Sequence, residues 1–178
     1  MTDSQHIDFR PLRFDDLELM RQWLNDDFVA RWWPGWPSLA QVQARYGPAI
    51  EGREPTKCFI VLRAGVEAGF IQCYRIRDWP EYAIGEEGAT AAGIDLFLGD
   101  RSLAYRGLGP RVIREFLRTV VFPGYDVASC IIGPAQNNRA AIRAYEKAGF
   151  RYLKTVSIPG ELQPEYLMRI MRDELGDD

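Results

Sequence analysis

The chain has 178 residues, 47% of them hydrophobic, and its 22 Lys and Arg against 25 Asp and Glu give a formal net charge of −3 at pH 7. This length and composition are typical of one domain with a sizeable core. The slightly acidic balance argues against nucleic acid or an anionic membrane as a partner. Because the amino terminus lacks a basic region followed by an apolar run, and no segment has the length of a membrane span, we expect a cytoplasmic protein.

Cysteine and histidine are too sparse to carry the chemistry. Cys58, Cys73 and Cys130 lie in apolar runs without metal-ligand spacing, so we expect reduced core residues. The only histidine, His6, precedes the first apolar segment, which leaves no histidine triad and no zinc or other metal site. Any catalysis must therefore use carboxylates, tyrosine, backbone amides and a bound cofactor.

The amino-terminal half predicts a strand, two helices and a β-hairpin. Gly47 and Pro48 are expected to end the second helix. In chain order the segments are HIDFRPL (strand), RFDDLELMRQWLN (helix), LAQVQARYGPAI (helix) and CFIVLRAGVEAGFIQCYRI (hairpin).

The carboxyl-terminal half alternates strands and helices after an irregular stretch from Asp78 to Gly93. Its segments are IDLFL (strand), RVIREFLRTVVF (helix), ASCII (strand), NNRAAIRAYEKAG (helix), RYLKTVSI (strand) and EYLMRIM (strand). Gly149 is expected to cap the last helix. The pattern predicts a single α/β (α+β) domain over residues 1–178, with a mixed central sheet and helices on both faces.

The segment RGLG, Arg106 to Gly109, lies between a predicted strand and an amphipathic helix. Its amides and the positive helix end would face one spot, which favours an anion site over an ordinary turn. The Walker lysine and the third glycine of the dinucleotide fingerprint are absent. Pro110 cannot donate an amide, so we expect a cradle of neighbouring amides, with the proline at the first helical position and Arg111 adding charge.

This loop and a second motif together resemble the GCN5-related N-acetyltransferases (GNAT). The second motif has Asn138 before a helix that carries Tyr145-Glu146-Lys147-Ala148-Gly149-Phe150. Within that superfamily, ARWWPGWPSLAQVQARYGP, AGFIQCYRI, GIDLFL and AIRAYEKAGF are similar to aminoglycoside 6'-N-acetyltransferases and to acyltransferases of hydroxamate siderophore synthesis. The resemblance implies a GNAT fold with an acetyl-CoA-binding cleft.

The resemblance also implies roles for individual residues. Tyr145 would be the general acid that protonates the leaving thiolate, Asn138 would hydrogen-bond the cofactor, and the main chain of residues 97 and 98 would pair with its pantetheine arm. The implied cofactor-binding residues are Phe97, Leu98, Arg106, Gly107, Leu108, Gly109, Arg111, Asn138 and Tyr145. The chain departs from the pattern at Ala104, where the superfamily usually has Gln or Arg, and at Gly133, where aminoglycoside enzymes often have an acid.

Six acids and no Lys or Arg lie between Asp78 and Asp100; the other four are Glu81, Glu86, Glu87 and Asp95. A cleft of one sign captures polycations, and a solvated acidic loop is the alternative. Asp95 interrupts an apolar strand, so its carboxylate must be paired or functional. We expect Asp95 to hold the substrate amine and accept its proton, with Asp78 as second candidate and a water relay as an alternative.

Trp32, Trp33 and Trp36 could form a wall for sugar rings, with core packing as the alternative. The predicted substrate-binding residues are Asp78, Asp95, Trp32, Tyr46, Gln72 and Glu161. The resemblance implies acetyl transfer from acetyl-CoA to a primary amine, the 6'-amine, of a polycationic aminoglycoside, conferring resistance, and we expect a monomer or weak homodimer. The alternatives are a siderophore-pathway acyltransferase and a non-catalytic acyl-CoA-binding module.

Overall fold

The computed structural model describes residues 6–35, 38–80, 84–104, 106–157 and 163–176. The strands are β1 Ile7–Pro11, β2 Lys57–Arg63, β3 Val66–Arg75, β4 Ala91–Leu98, β5 Ser129–Ile132, β6 Arg151–Val156 and β7 Glu165–Met171. The α-helices are α1 Leu17–Asn25, α2 Asp27–Ala30, α3 Leu39–Ile50, α4 Glu86–Ala89, α5 Leu108–Phe116, α6 Phe122–Gly124 and α7 Arg139–Ala148. Short 3₁₀ turns are Phe14–Asp16, Ile76–Asp78, Arg101–Leu103 and Arg172–Glu174.

The seven strands form one mixed sheet in the order β1-β2-β3-β4-β5-β7-β6. β4 and β5 are parallel, whereas β1 with β2, β5 with β7 and β6 with β7 are antiparallel. The predicted mixed α/β fold is confirmed. No helix among the described residues has the length and apolarity needed to cross a membrane.

The predicted β-hairpin is confirmed as β2 and β3. A two-residue loop joins the strands, and its residues Ala64 and Gly65 have φ angles of +50° and +82°. Positive φ at both loop positions is the geometry that matches the twist of the paired strands. Gly65 adopts it without strain, so the sequence carries its own turn signal here.

Two prolines lie deeper inside helices than their sequence context predicts. The expectation that α3 ends at Pro48 is wrong, because the helix runs through it to Ile50. Buried Tyr46, with 1% of its surface exposed, anchors the last turns, and burial offsets the hydrogen bond that proline removes. α5 begins at Leu108, so Pro110 is its third residue rather than its first. Amides of the first turn have no intrahelical acceptor, and Pro110 therefore costs the helix no bond.

The predicted helix after Pro110 is not one uniform α-helix. α5 passes directly into a π-helical turn, Leu117–Val121, and then into α6. The α7 helix follows the prediction, with Gly149 as its C-cap at a φ of +104°. The amide of Phe150 donates to the carbonyl of Tyr145, which closes the end of α7.

The chain divides into two compact units, Met1–Gln72 with Leu96–Ala104 and Cys73–Asp95 with Tyr105–Asp178. In the first unit, α1 and α3 pack with the strands over a core that includes Tyr46, Phe70 and Phe97. The second unit has a buried cluster of Ile76, Ile84, Ala91, Ile131 and Leu167. All three cysteines are buried. A single domain over 1–178 stays a prediction.

Candidate active site

The start of α5 presents main-chain amides without partners in the helix. Gly107 is the N-cap, with a φ of +76°, and no side chain caps the helix there. In α-helical geometry the amides of Gly107, Leu108 and Gly109 have no intrahelical acceptor. Among the described residues, no atom lies within 4 Å of the place that a Cβ on Gly107 would take. The exposed Arg106 and Arg111 flank this turn, so it can receive an anion.

Packing between α5 and α7 fixes this turn in place. Gly109 faces α7, where a Cβ on Gly109 would lie 3.8 Å from the Cβ of Ala144. Farther along α5, the Arg114 guanidinium donates 2.7 Å to the carbonyl of Leu175 and 3.5 Å to that of Ala148, at the end of α7. The anion-binding turn is therefore attached to a braced helix pair.

Asn138 has a structural role before any ligand is considered. It is the N-cap of α7, and its Oδ1 accepts a 3.1 Å hydrogen bond from the amide of Ala141. A cofactor contact through Asn138 would use its side-chain nitrogen or its main chain, and that contact stays a prediction.

β4 and β5 separate part-way along β4. Their parallel register pairs Ala91–Gly93 with Ser129–Ile131, whereas β4 runs on to Leu98. Asp95 lies within β4, two residues beyond the last pair. In the first unit Gly69 of β3 lies so close to the Phe97 carbonyl that a Cβ at Gly69 would overlap it. The ladder with β5 does not cover the main chain of Phe97 and Leu98, the segment predicted to pair with an extended ligand.

Asp95 and Tyr145 act on each other electrostatically. The ring of Tyr145 packs 6.3 Å from that of Phe150, and the residue is 8% exposed. Burial raises the pKa of the Tyr145 phenol, and the negative charge of Asp95 raises it further. Tyr145 is therefore protonated at neutral pH. The difference between its pKa and that of a thiol, about 8.5, is larger than the difference for an ordinary tyrosine.

Residues 14–158 match the family model of the acetyltransferase (GNAT) domain. The chain belongs to the GNAT acetyltransferase family. It is 31% identical over 164 residues to aminoglycoside N(6')-acetyltransferase type 1 of Klebsiella pneumoniae, covering 88% of this chain and 79% of that protein.

Solved structures of the same family are similar over nearly the whole chain. The aminoglycoside acetyltransferase AAC(6')-Ib in complex with coenzyme A has a TM-score of 0.85 and 29% identity, with 95% of this chain and 96% of that chain covered. The AAC(6')-Ib structure with coenzyme A and kanamycin has a TM-score of 0.84, 29% identity and the same coverage. The predicted GNAT fold is confirmed.

In this GNAT protein the turn at Gly107 fits the diphosphate of acetyl-CoA, the cofactor that the family implies. Its donors are main-chain amides, and bare glycines let a ligand approach the backbone. Ala104 has no side chain that could bind a phosphate, and the role of the neighbouring Arg106 and Arg111 in binding it stays a prediction. Within the described ranges, no group of three or more His, Cys, Asp or Glu side chains is placed to hold a metal ion.

The acidic segment of this GNAT protein is less negative than its sequence indicates. Asp78 accepts a 2.9 Å bond from Arg75, just before the segment. Glu87 accepts a 3.2 Å bond from Lys154 of β6, which also donates 2.5 Å to the carbonyl of Ile84. The pKa of Glu87 is lowered by its own amide and then by Lys154. The fold thus brings in cations that are absent from the segment itself.

Other acids of the segment differ in their environment. Asp100 caps a short turn by accepting bonds from the amide and the hydroxyl of Ser102, both 2.7 Å long. Glu86 is exposed, and Glu81 lies outside the described residues. Asp95 is the predicted substrate carboxylate that stands within a central strand.

The three tryptophans do not share one environment. Trp33 belongs to the core of the first unit, with ring centroids 5.2 Å from Phe97 and 6.1 Å from Phe70. Trp32 is half-buried, and the Arg31 guanidinium lies 5.0 Å from its ring centroid. Trp36 and Glu161 lie outside the described residues. Core packing accounts for Trp33, and a substrate contact by Trp32 stays a prediction.

Tyr46 and Gln72 are buried in the first unit. Tyr46 packs edge-on against Phe70 at 5.3 Å, and the Gln72 Oε1 lies 3.8 Å from the Cys58 Sγ, with 6% of Gln72 exposed. Neither side chain presents a broad surface to a ligand. Their predicted role in substrate binding is not tested by this geometry, and it would depend on small exposed edges.

One acid near the end of β5, Glu165, was not among the predicted site residues. Glu165, the first residue of β7, lays its carboxylate over the main chain of Gly133. A Cβ at Gly133 would lie 2.9 Å from the Leu167 Cδ2 and would overlap the Glu165 Oε2. The signal in the sequence was Gly133 itself, a residue without a side chain directly after a strand that leads into the predicted active site.

Proposed function

We propose that this chain is an acetyl-CoA-dependent N-acetyltransferase that acetylates the 6'-amine of aminoglycosides and thereby confers resistance to them. The observation that carries the proposal is the 31% identity over 88% of the chain to a protein named aminoglycoside N(6')-acetyltransferase. The similarity to a structure holding coenzyme A and kanamycin supports it. A cytoplasmic location and a monomeric or weakly dimeric state stay predictions.

Bound acetyl-CoA supplies the acetyl thioester. The amides at Gly107 and Gly109, with Arg106 and Arg111, would bind its diphosphate. Charge-assisted bonds of this kind are short and about twice as strong as neutral ones. Helix α5 adds its positive end to the same place. These residues orient the cofactor and take no part in proton transfer.

The proton of the substrate amine is the main obstacle to attack. A primary amine with a pKa near that of lysine, about 10.4, needs roughly 4 to 5 kcal/mol to become the neutral nucleophile at pH 7. Asp95 is the better of the two predicted bases, since Asp78 is neutralised by Arg75. An ordinary aspartate is a weak base, so holding and orienting the amine contributes alongside proton transfer.

The electrostatic link between Asp95 and Tyr145 couples the two ends of the reaction. Burial raises the pKa of the Tyr145 phenol, and the negative charge of Asp95 raises it further. When the amine proton reaches Asp95, that negative charge is neutralised and the pKa of Tyr145 falls. Tyr145 thus becomes a stronger hydrogen-bond and proton donor as the thiolate forms.

A thiol-release assay tests the proposal with kanamycin, neomycin, N-hydroxylysine and buffer alone. We expect release with both aminoglycosides and none above background with N-hydroxylysine. Turnover of N-hydroxylysine alone favours the siderophore acyltransferase, and coenzyme A binding without any turnover favours the binding module. No turnover on either aminoglycoside contradicts the proposal.

Two variants test the residue roles. Removing general acid–base catalysis typically costs about 100-fold or more, so Asp95→Asn and Tyr145→Phe should each lower kcat by about 100-fold. The matched controls are Asp126→Asn and Tyr152→Phe, both at exposed positions, and they should keep wild-type kcat. Full kcat in both active-site variants would show that the assigned roles are wrong.

A further inference from the structure

Gly133 and Asp95 occupy equivalent places in the second unit. The last pair of the β4–β5 ladder is Gly93 with Ile131. Asp95 and Gly133 each follow that pair by two residues, and side chains two residues apart share one face of a strand. A side chain at position 133 would therefore lie on the face of Asp95, just beyond the last pair of the β4–β5 ladder. Glycine provides no side chain there.

Glu165 fills the place that Gly133 leaves. Its carboxyl carbon is 3.2 Å from the point where a Cβ of residue 133 would stand, and its Oε2 is closer still. The register of β5 with β7 explains why. Ile131 pairs with Arg169 and Ala135 with Glu165, so the Glu165 side chain lies on the face of Gly133 and diagonally beside it.

Main-chain hydrogen bonds hold the start of β7 against the segment after β5. The Tyr166 amide donates 2.8 Å to the Pro134 carbonyl, and the Gln136 amide donates 3.0 Å to the Pro164 carbonyl. Glu165 lies between these two bonds and is half-buried. Its carboxylate is therefore positioned by backbone on both sides.

We propose that Glu165 is a substrate-binding residue, whose carboxylate receives an ammonium group of the aminoglycoside beside Asp95. This inference rests on the proposed function. The acceptor site for the polycation then has two carboxylates beyond the last pair of the β4–β5 ladder, one from β4 and one from β7. Glu165 binds a charged amine that does not react, which separates its role from that of Asp95.

Kinetics of Glu165→Gln with kanamycin and acetyl-CoA test the proposal. A charge-assisted hydrogen bond is worth roughly tenfold in affinity or more, so we expect the KM for kanamycin to rise about tenfold. The KM for acetyl-CoA and kcat should stay near the wild-type values. Glu115→Gln is the control, since Glu115 is likewise half-buried but lies on α5, and all three constants should be unchanged.

A carboxylate placed directly after β5 should restore kanamycin binding to a variant that lacks the Glu165 carboxylate. Glu165→Ala removes the carboxylate over residue 133 and leaves the Leu167 Cδ2, the end of a flexible side chain, 2.9 Å from an added Cβ, and Gly133→Asp in that background returns the charge directly after β5. We expect Glu165→Ala to raise the KM for kanamycin about tenfold and the double variant to recover at least half of the loss on a logarithmic scale. A merely structural role for Glu165 would not be rescued by a charge at position 133.

The outcomes separate this inference from the proposed function. A wild-type protein that neither binds nor acetylates kanamycin overturns both. A wild type that turns over kanamycin, with an unchanged KM in Glu165→Gln, overturns only the role of Glu165. If Glu165→Gln lowers kcat and raises both KM values alike, the residue supports the fold and the inference is likewise wrong.

Discussion

Gly93→Ala should destabilise the protein, because the Tyr74 ring lies directly on Gly93 at the last pair of the β4–β5 ladder. An added Cβ would stand 2.5 Å from the Tyr74 Cε2, 2.6 Å from its Cζ and 2.9 Å from its hydroxyl oxygen. Real Cβ atoms do not approach other atoms so closely, and the rigid ring also packs against the buried cluster around Ile131. Overpacking of this kind costs about 1–3 kcal/mol.

Urea unfolding measures this loss. With a slope of about 2 kcal/mol per molar urea, a loss of 2 kcal/mol lowers the midpoint by about 1 M. Gly109→Ala is the control, since its Cβ would meet only the Ala144 Cβ at 3.8 Å. That variant should be neutral or more stable by about 0.5 kcal/mol.

A double-mutant cycle identifies the cause of the loss. If the clash with the ring is responsible, Gly93→Ala costs at least about 1 kcal/mol less in a Tyr74→Ala background than in the wild type. The same cost in both backgrounds, or an unchanged urea midpoint for Gly93→Ala, would refute the reasoning.

Further substitutions test individual interactions that stabilise the fold. Arg172→Met should lower the free energy of unfolding by about 2 kcal/mol, because the guanidinium donates to three main-chain carbonyls near the end of α6. Arg172→Lys should lower it by less. Equal losses in urea unfolding would contradict this prediction. Burial alone would raise the pKa of Asp16, but hydrogen bonds from Arg10 outweigh it, and the pKa is lowered. The ionised Asp16 therefore stabilises the fold above pH ~4, and this contribution is lost as the pH falls through the folded pKa. Asp16→Asn should therefore cost about 1–2 kcal/mol in urea unfolding at pH 7, and this cost should shrink as the pH falls through the folded pKa; a cost independent of pH would disprove the link.

Local signals explain the parts of the fold that the sequence predicted well. The Ala64-Gly65 loop between alternating apolar runs predicted the hairpin, because its turn geometry depends on those residues alone. Gly149 predicted the end of α7 for the same reason. The two glycines around Leu108 before an amphipathic helix predicted the turn at the start of α5, and its role as an anion site stays a prediction.

Long-range packing decided what the sequence could not predict. Pro48 normally indicates the end of a helix, but α3 continues to Ile50 because buried Tyr46 stabilises its last turns. The acidic segment itself contains no Lys or Arg, and Lys154, 67 residues after Glu87, supplies a cation across the fold. Glu165 reaches Gly133 only through the β5–β7 register, which no local pattern contains. Charge pairing between distant residues and the end of α3 were therefore harder to predict here than the strands and turns.

The product formed from kanamycin tests the central claim most directly. Purified protein with acetyl-CoA and kanamycin should give a singly acetylated product, and NMR should place the acetyl group on the 6'-amine. Acetylation at a different amine would contradict the proposed regiochemistry, and unchanged kanamycin in the presence of active, folded protein would contradict the proposed function itself.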